Sequence, residues 1–290
     1  MSDGDPAQEN TEPQALDRQS LRFASTNEDV IVFRSGDGTL FNIRRCNLRC
    51  ATDGPFAEDF PATPGEKVEL TEDADTLETL FSFLYPGVYP SLVDIPFAEL
   101  ALVAEAAEKY RVASAMAMCR VTIRLGALYK EHAAEVLIYA YKHGYEDLLN
   151  LAAPYSVNIS VRDVRKIWSY PLIVAWAEYK EAWLRAFHED CYAIRHRVRH
   201  PSCGGDCMYW SRVVGVVDTR ASDAASRAIF VDLDALFDGA TQGLSCGGGS
   251  IYDPQNVARS RCYMQLFEWK ELFRLKTSAI PSLSTFISQS

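Results

Sequence analysis

The sequence predicts an α+β fold: a small sheet with helical hairpins, followed by a mainly helical extension and an irregular, cysteine-containing carboxyl-terminal region. Three observations carry this expectation. β-Branched and aromatic runs flank a glycine-rich turn near the amino terminus. Apolar residues then recur at helical spacing through successive segments. From about Arg195 the chain turns basic and then rich in cysteine and glycine.

The elements follow in order. Residues 1–22 hold Asp3, Asp5, Glu9, Glu12 and Asp17 with few apolar side chains, so an unstructured acidic tail is expected. Asp29-Val-Ile-Val-Phe33 and Thr39-Leu-Phe-Asn-Ile43 surround Ser35-Gly-Asp-Gly38, a hairpin signal. Between Arg44 and Phe60, Leu48, Phe56 and Phe60 supply apolar contacts for short helices, and Gly54-Pro55 interrupts any long one. A short strand over Lys67 to Leu70 comes next. Asp73 to Tyr85 places Leu77, Leu80, Phe81 and Leu84 on one helical face, and Pro86-Gly87 stops that helix. Leu100, Val103, Ala104 and Ala107 repeat the period after Asp94 and Pro96. Ser114 opens a further helix with Met118, Thr122, Leu125 and Tyr129 in step.

This order, with Leu80-Phe-Ser-Phe-Leu-Tyr-Pro-Gly87, Ala106-Ala-Glu-Lys-Tyr110 and Cys119, resembles the BTB/POZ domain over residues 23–128 of the 290. The leading strand, Phe41 and Leu48 stand where that family places them. Arg44 replaces a histidine that many members carry, and Thr52 replaces the usual serine. Tyr85-Pro-Gly-x-Tyr-Pro90 and the long remaining chain are similar to the expanded BTB proteins of filamentous fungi. The resemblance implies a non-enzymatic protein–protein interaction module, a scaffold or adaptor. Other proteins would be its partners, with a homodimer or a cullin of a ubiquitin ligase as specific options. Phe56, Glu58, Phe60, Tyr85 and Tyr89 are the candidate partner-binding residues. Phe56-Ala-Glu58 is the nearest spelling of the family's hydrophobic-x-Glu cullin element, although it sits earlier than the pattern requires, and the stretch from Phe60 to Glu66 is short and proline-rich.

Composition narrows the setting. The 39 acidic against 29 basic side chains give a charge of −10, which repels nucleic acid. No apolar run approaches the roughly 20 residues that span a bilayer, and the acidic start lacks a secretory pattern. No membrane partner and an intracellular setting, cytoplasm or nucleus, are therefore expected. In that setting the eight cysteines read as thiols or metal ligands rather than disulfides.

In the helical extension, 129–200, Ala134, Leu137, Ile138 and Tyr141 mark one helix, and Leu148, Leu149 and Ala152 mark the next. Leu172, Ala175, Trp176, Tyr179, Trp183 and Phe187 form an aromatic stripe whose expected role is packing between helices. Arg195-His-Arg-Val-Arg-His200 reads either as a solvated helix end or as a contact for an acidic or phosphorylated partner.

The carboxyl-terminal region, 201–290, begins with Cys203-Gly-Gly-Asp-Cys207. A Cys-x3-Cys turn can offer two of the four ligands of tetrahedral zinc. His200, Cys203, Cys207 and Cys246 are the candidate ligands, with His196, Cys191 and Cys262 as further donors. A structural zinc is the one candidate cofactor, set against ordinary buried thiols. No catalytic residue is expected. Gly243-Leu-Ser-Cys-Gly247 has the spelling of a nucleophile elbow, but no strand precedes it and every histidine lies before Ser245.

Overall fold

Arg18–Gln19 (β1), Val30–Arg34 (β2), Thr39–Arg44 (β3) and Lys67–Glu69 (β4) assemble one mixed sheet in the order β1-β3-β2-β4. The computed structural model describes residues 17–25, 29–57, 66–87, 89–200, 205–223, 229–242, 246 and 261–289. The fold is α+β, mostly helical, and divides into two compact units, Met1–Gly126 and Ala127–Ser290.

In the first unit β2 and β3 pair antiparallel from Val30↔Arg44 to Arg34↔Leu40. The turn between them needs Gly38 at φ +88°, a conformation open to glycine. Ser35 fixes it, its Oγ accepting the Thr39 N–H at 2.8 Å. Strand alternation sends Ile31, Phe33, Phe41 and Ile43 inward, all 2% exposed or less. β4 runs parallel to β2, and β1 runs parallel to β3. The latter corrects the expected extent of the acidic tail. Asp17 bridges Arg34 and Lys67, Arg18 and Gln19 are paired in the sheet, and Phe23 is 5% exposed. Ion pairing and one buried ring order a stretch whose composition alone reads as unstructured.

Helices cover the sheet. Arg45–Ala51 (α1) buries Leu48. Ala74–Ser82 (α2) is capped by Asp73, whose carboxylate accepts the Thr76 N–H at 2.8 Å. Leu77, Leu80, Phe81 and Leu84 are all buried, as the spacing predicts. Phe97–Tyr110 (α3) and Ala113–Leu125 (α4) form a hairpin through Arg111 at φ +54°. Leu100, Val103, Ala104 and Ala107 face inward from α3. On α4 the inner face is Ala115, Cys119, Thr122 and Ile123, not the stripe through Met118 and Leu125. Leu125 is 79% exposed at the helix end, and Tyr129 belongs to the following helix.

In the second unit Leu128–Glu131 (α5), Ala133–His143 (α6), Glu146–Ala152 (α7), Val161–Val164 (α8) and Tyr170–Arg185 (α9) follow one another. On α6 Ala133, Val136, Leu137, Tyr139 and Ala140 are buried; of the expected face only Leu137 is among them, while Ala134, Ile138 and Tyr141 are partly exposed. The stripe on α9 is buried throughout, and Trp176 Nε1 donates to Ser156 Oγ at 2.8 Å. A π-turn at Ala186–Asp190 carries Phe187 into a cluster with Trp269, Phe230 and Phe273, at 5.7, 5.4 and 5.4 Å.

Tyr192–Arg195 (α10), the hairpin of Arg199–His200 (β5) and Gly205–Asp206 (β6), Met208–Ala221 (α11), Leu233–Phe237 (α12), Arg261–Ser278 (α13) and Leu283–Gln289 (α14) complete the unit. The region expected to be irregular is thus helical in much of its described length. Trp210, Val213 and Val217 on α11 and Trp269 and Phe273 on α13 repeat at three- and four-residue steps and are buried. No helix among the described residues is long and apolar enough to cross a membrane.

Candidate metal centre

Three cysteines from three separate segments meet in the second unit. Cys207 is placed by the β5–β6 hairpin: its N–H donates to the Val198 carbonyl at 2.6 Å, and its extended backbone leads directly into α11. Cys262 is the second residue of α13. Cys246 comes from the connection between α12 and α13. All three are buried, at 2%, 0% and 5% exposure respectively. Their sulfurs lie within 4.8 Å of one another, with Cys207 Sγ 3.5 Å from Cys262 Sγ.

That spacing suits a metal ion. Zinc–thiolate bonds of about 2.3 Å in a tetrahedron put neighbouring sulfurs about 3.8 Å apart, so the three thiols can share one coordination sphere. Burial, and then the neighbouring Cys246 and Cys207, push the Cys262 thiol well above the ordinary range. That shift favours the protonated Cys262 thiol in the absence of a cation, whereas an ion of suitable size would displace protons and neutralise the charge. The cluster can therefore hold a metal. Among the described residues no further histidine, cysteine or carboxylate joins it.

Of the ligands expected from sequence, Cys207 and Cys246 come together. His200 contributes its backbone to β5 opposite Gly205, while its side chain and Cys203 lie outside the described residues. Cys262 supplies the third thiol. It lies 55 residues beyond Cys207, and no local spacing ranks it above Cys191. Cys191 is buried elsewhere, its thiol pushed up to about 11 by burial and by Asp190. His196 stacks on Tyr192 at 3.9 Å, and its Nδ1 bonds the Tyr192 carbonyl.

In the basic run Arg197 and Arg199 are exposed just beyond the end of α10, in keeping with a solvated helix end, whereas Arg195 is buried. Arg195 is only 8% exposed and reaches Asp218 at 2.6 Å and His188 Nδ1 at 3.0 Å, with its guanidinium over the rings of Phe187 and Trp269. Arg197 pairs with Glu268 at 3.0 Å and Arg199 with Asp206 at 3.3 Å. All three arginines are therefore engaged within the unit.

The candidate partner residues of the first unit separate sharply. Phe56 is 2% exposed and stacks on Tyr110 at 4.3 Å, which corrects its reading as a partner anchor: the aromatic core occupies it. Tyr85 is half-buried, its ring 5.5 Å from Phe23 and its hydroxyl accepting the Arg44 N–H at 3.2 Å. Tyr89 is 43% exposed and rests on Phe83 at 5.1 Å, so it remains available. Glu58 and Phe60 lie outside the described residues, as does Ser245 of the elbow spelling. Comparison with family models, with characterised proteins and with solved structures gives no match.

Proposed function

We propose that the chain is a non-enzymatic protein–protein interaction module of the BTB/POZ type, acting as a scaffold or adaptor. What supports the reading is the arrangement of the first unit: an antiparallel hairpin, a short helix, a strand returning parallel to β2, and then α2 and the α3–α4 hairpin. Exposed apolar side chains offer contacts. Val121 and Leu125, one helical turn apart on α4, are 48% and 79% exposed, and Tyr89 is 43% exposed.

The test is light scattering on the full chain, with titration of a cullin amino-terminal domain in the same series. A defined dimer, or saturable micromolar binding of the cullin domain, supports the reading when Val121→Asp with Leu125→Asp, or Tyr89→Asp, removes it without lowering thermal stability. A monomer that binds nothing, or an association indifferent to all three changes, counts against it.

The thiol cluster favours a second element: one structural zinc ion per chain, bound by Cys207, Cys246 and Cys262 with a fourth donor completing the tetrahedron. Bound there, zinc would tie α11, α13 and the segment of Cys246 together. Elemental analysis should find one zinc per chain, lost in Cys262→Ser. Cobalt substitution of the wild-type chain should give thiolate-to-metal absorption. A metal-free chain that is stably folded and gives no such absorption would exclude the ion.

A further inference from the structure

Residues 161–170, from α8 to the first residue of α9, present an unusual surface. Val164 and Trp168 point inward at 1% and 6% exposure, and the Trp168 ring meets Trp176 edge-on at 5.2 Å. Ser160 caps α8 through its Oγ, and Trp168 N–H donates to the Val164 carbonyl at 2.9 Å. Two buried anchors and a cap tie the segment to the unit and turn the side chains between them outward.

Those side chains are cationic and apolar together. Arg162, Arg165 and Lys166 are exposed, and among the described residues none of them forms an ion pair, although Asp163 lies within the same run. Elsewhere most cations of the unit are committed, as Arg185, Arg195, Arg197, Arg199, Lys270 and Arg274 show. Beside the free cations stand Val161, Ile167 and Tyr170 at 48%, 58% and 79% exposure. On a chain of charge −10 this is a local reversal of sign joined to an uncovered apolar surface.

We infer that this patch docks an acidic segment of a partner protein, its carboxylates meeting the three cations and its aliphatic side chains covering Ile167 and Tyr170. Charge complementarity selects the occupant. Tyrosine and arginine around a rigid apolar centre also form the mixture that concentrates binding energy in protein interfaces. Recognition of an anionic lipid surface takes basic clusters of about four to eight residues, more than this patch holds. Nucleic acid would meet the repulsion of the whole chain beyond these few contacts.

The test uses the full chain and a fluorescein-labelled peptide alternating glutamate and leucine, read by anisotropy at low and high salt. Vesicles containing phosphatidylserine are assayed in parallel. The expected result is saturable binding, weakened by salt and reduced by about tenfold or more both in Arg162→Glu/Arg165→Glu/Lys166→Glu and in Ile167→Ser/Tyr170→Ser, with unchanged thermal midpoints. No saturable binding, equal affinity in the variants, or capture by the vesicles in place of the peptide would overturn the inference. Because the substitutions lie in the second unit, any of these outcomes leaves the proposal for the first unit untouched.

Discussion

Replacing Phe56 with alanine separates a core residue from a partner anchor. The ring is 2% exposed, stacks on Tyr110 at 4.3 Å with an interplanar angle of 5°, and lies 5.1 Å from Phe33 and 6.3 Å from Phe81. Removing a fully buried phenylalanine costs about 3–5 kcal/mol in transfer and cavity terms, and the stacked pair with Tyr110 places Phe56 toward the upper end. Against a typical total of about 5–15 kcal/mol that is a large share. For a unit of this size it lowers the midpoint by roughly 10–20 °C. Urea and thermal melts followed by circular dichroism measure it, with Tyr89→Ala as the exposed comparison, expected within about 1 kcal/mol of wild type. A Phe56→Ala chain that melts with the wild type but loses a partner would refute the core assignment.

Further outcomes follow from other positions. Gly36→Ala would set a methyl 2.9 Å from the Thr71 carbonyl oxygen, beside the Gly36 N–H bond to the Glu72 carbonyl, and is expected to destabilise by about 1–3 kcal/mol in the same melts. Burial of the Glu72 carboxylate opposes its charge, but hydrogen bonds from Lys109 at 2.7 Å and Tyr110 at 2.6 Å outweigh this and hold its pKa below the ordinary 4.5. Its stabilising effect is therefore present above 4.5 and lost as the pH falls through the lower folded value. Melts between about pH 5.5 and 3 should show a smaller acid loss in Glu72→Gln than in wild type, and parallel curves would count against the linkage. Iodoacetamide labelling read by mass spectrometry should modify exposed Cys46 and Cys50 first. Cys119, buried and pushed up to about 12 by that burial, should react only on unfolding.

The helix α2 was legible because large apolar residues alone mark its inner face, and the hairpin because Gly38 must adopt a positive φ. The register of α4 was not. Its buried face is Ala115, Cys119, Thr122 and Ile123, while the larger Leu125 lies at the helix end, where burial ceases. Hydrophobic size misleads when the buried face carries small side chains. On α6 every residue from Ala133 to Tyr141 except Glu135 is apolar or aromatic, so several faces read alike, and burial selected Ala133, Val136, Leu137, Tyr139 and Ala140.

The thiol cluster shows the same limit at longer range. Cys207 announces itself through the Cys-x3-Cys spelling, whereas Cys262 joins only because α11 and α13 pack together. Sequence holds that information in the matching stripes of Trp210 and Trp269, whose rings meet at 6.2 Å, rather than in any cysteine spacing. Phe56 is the converse case. A conspicuous aromatic next to Gly54-Pro55 reads as a surface anchor until the parallel ring of Tyr110 covers it.

Among the described residues the sheet of the first unit ends on both sides in very short strands, two residues in β1 and three in β4. An extended peptide arriving at either margin would find few amides and carbonyls to bond, and the charged side chains of Arg18, Lys67 and Glu69 stand along its approach. Joining by strand addition is therefore poorly rewarded, both for a stray unfolded chain and for a second copy. Crowded conditions that drive flat-edged sheets into fibres should leave this one alone.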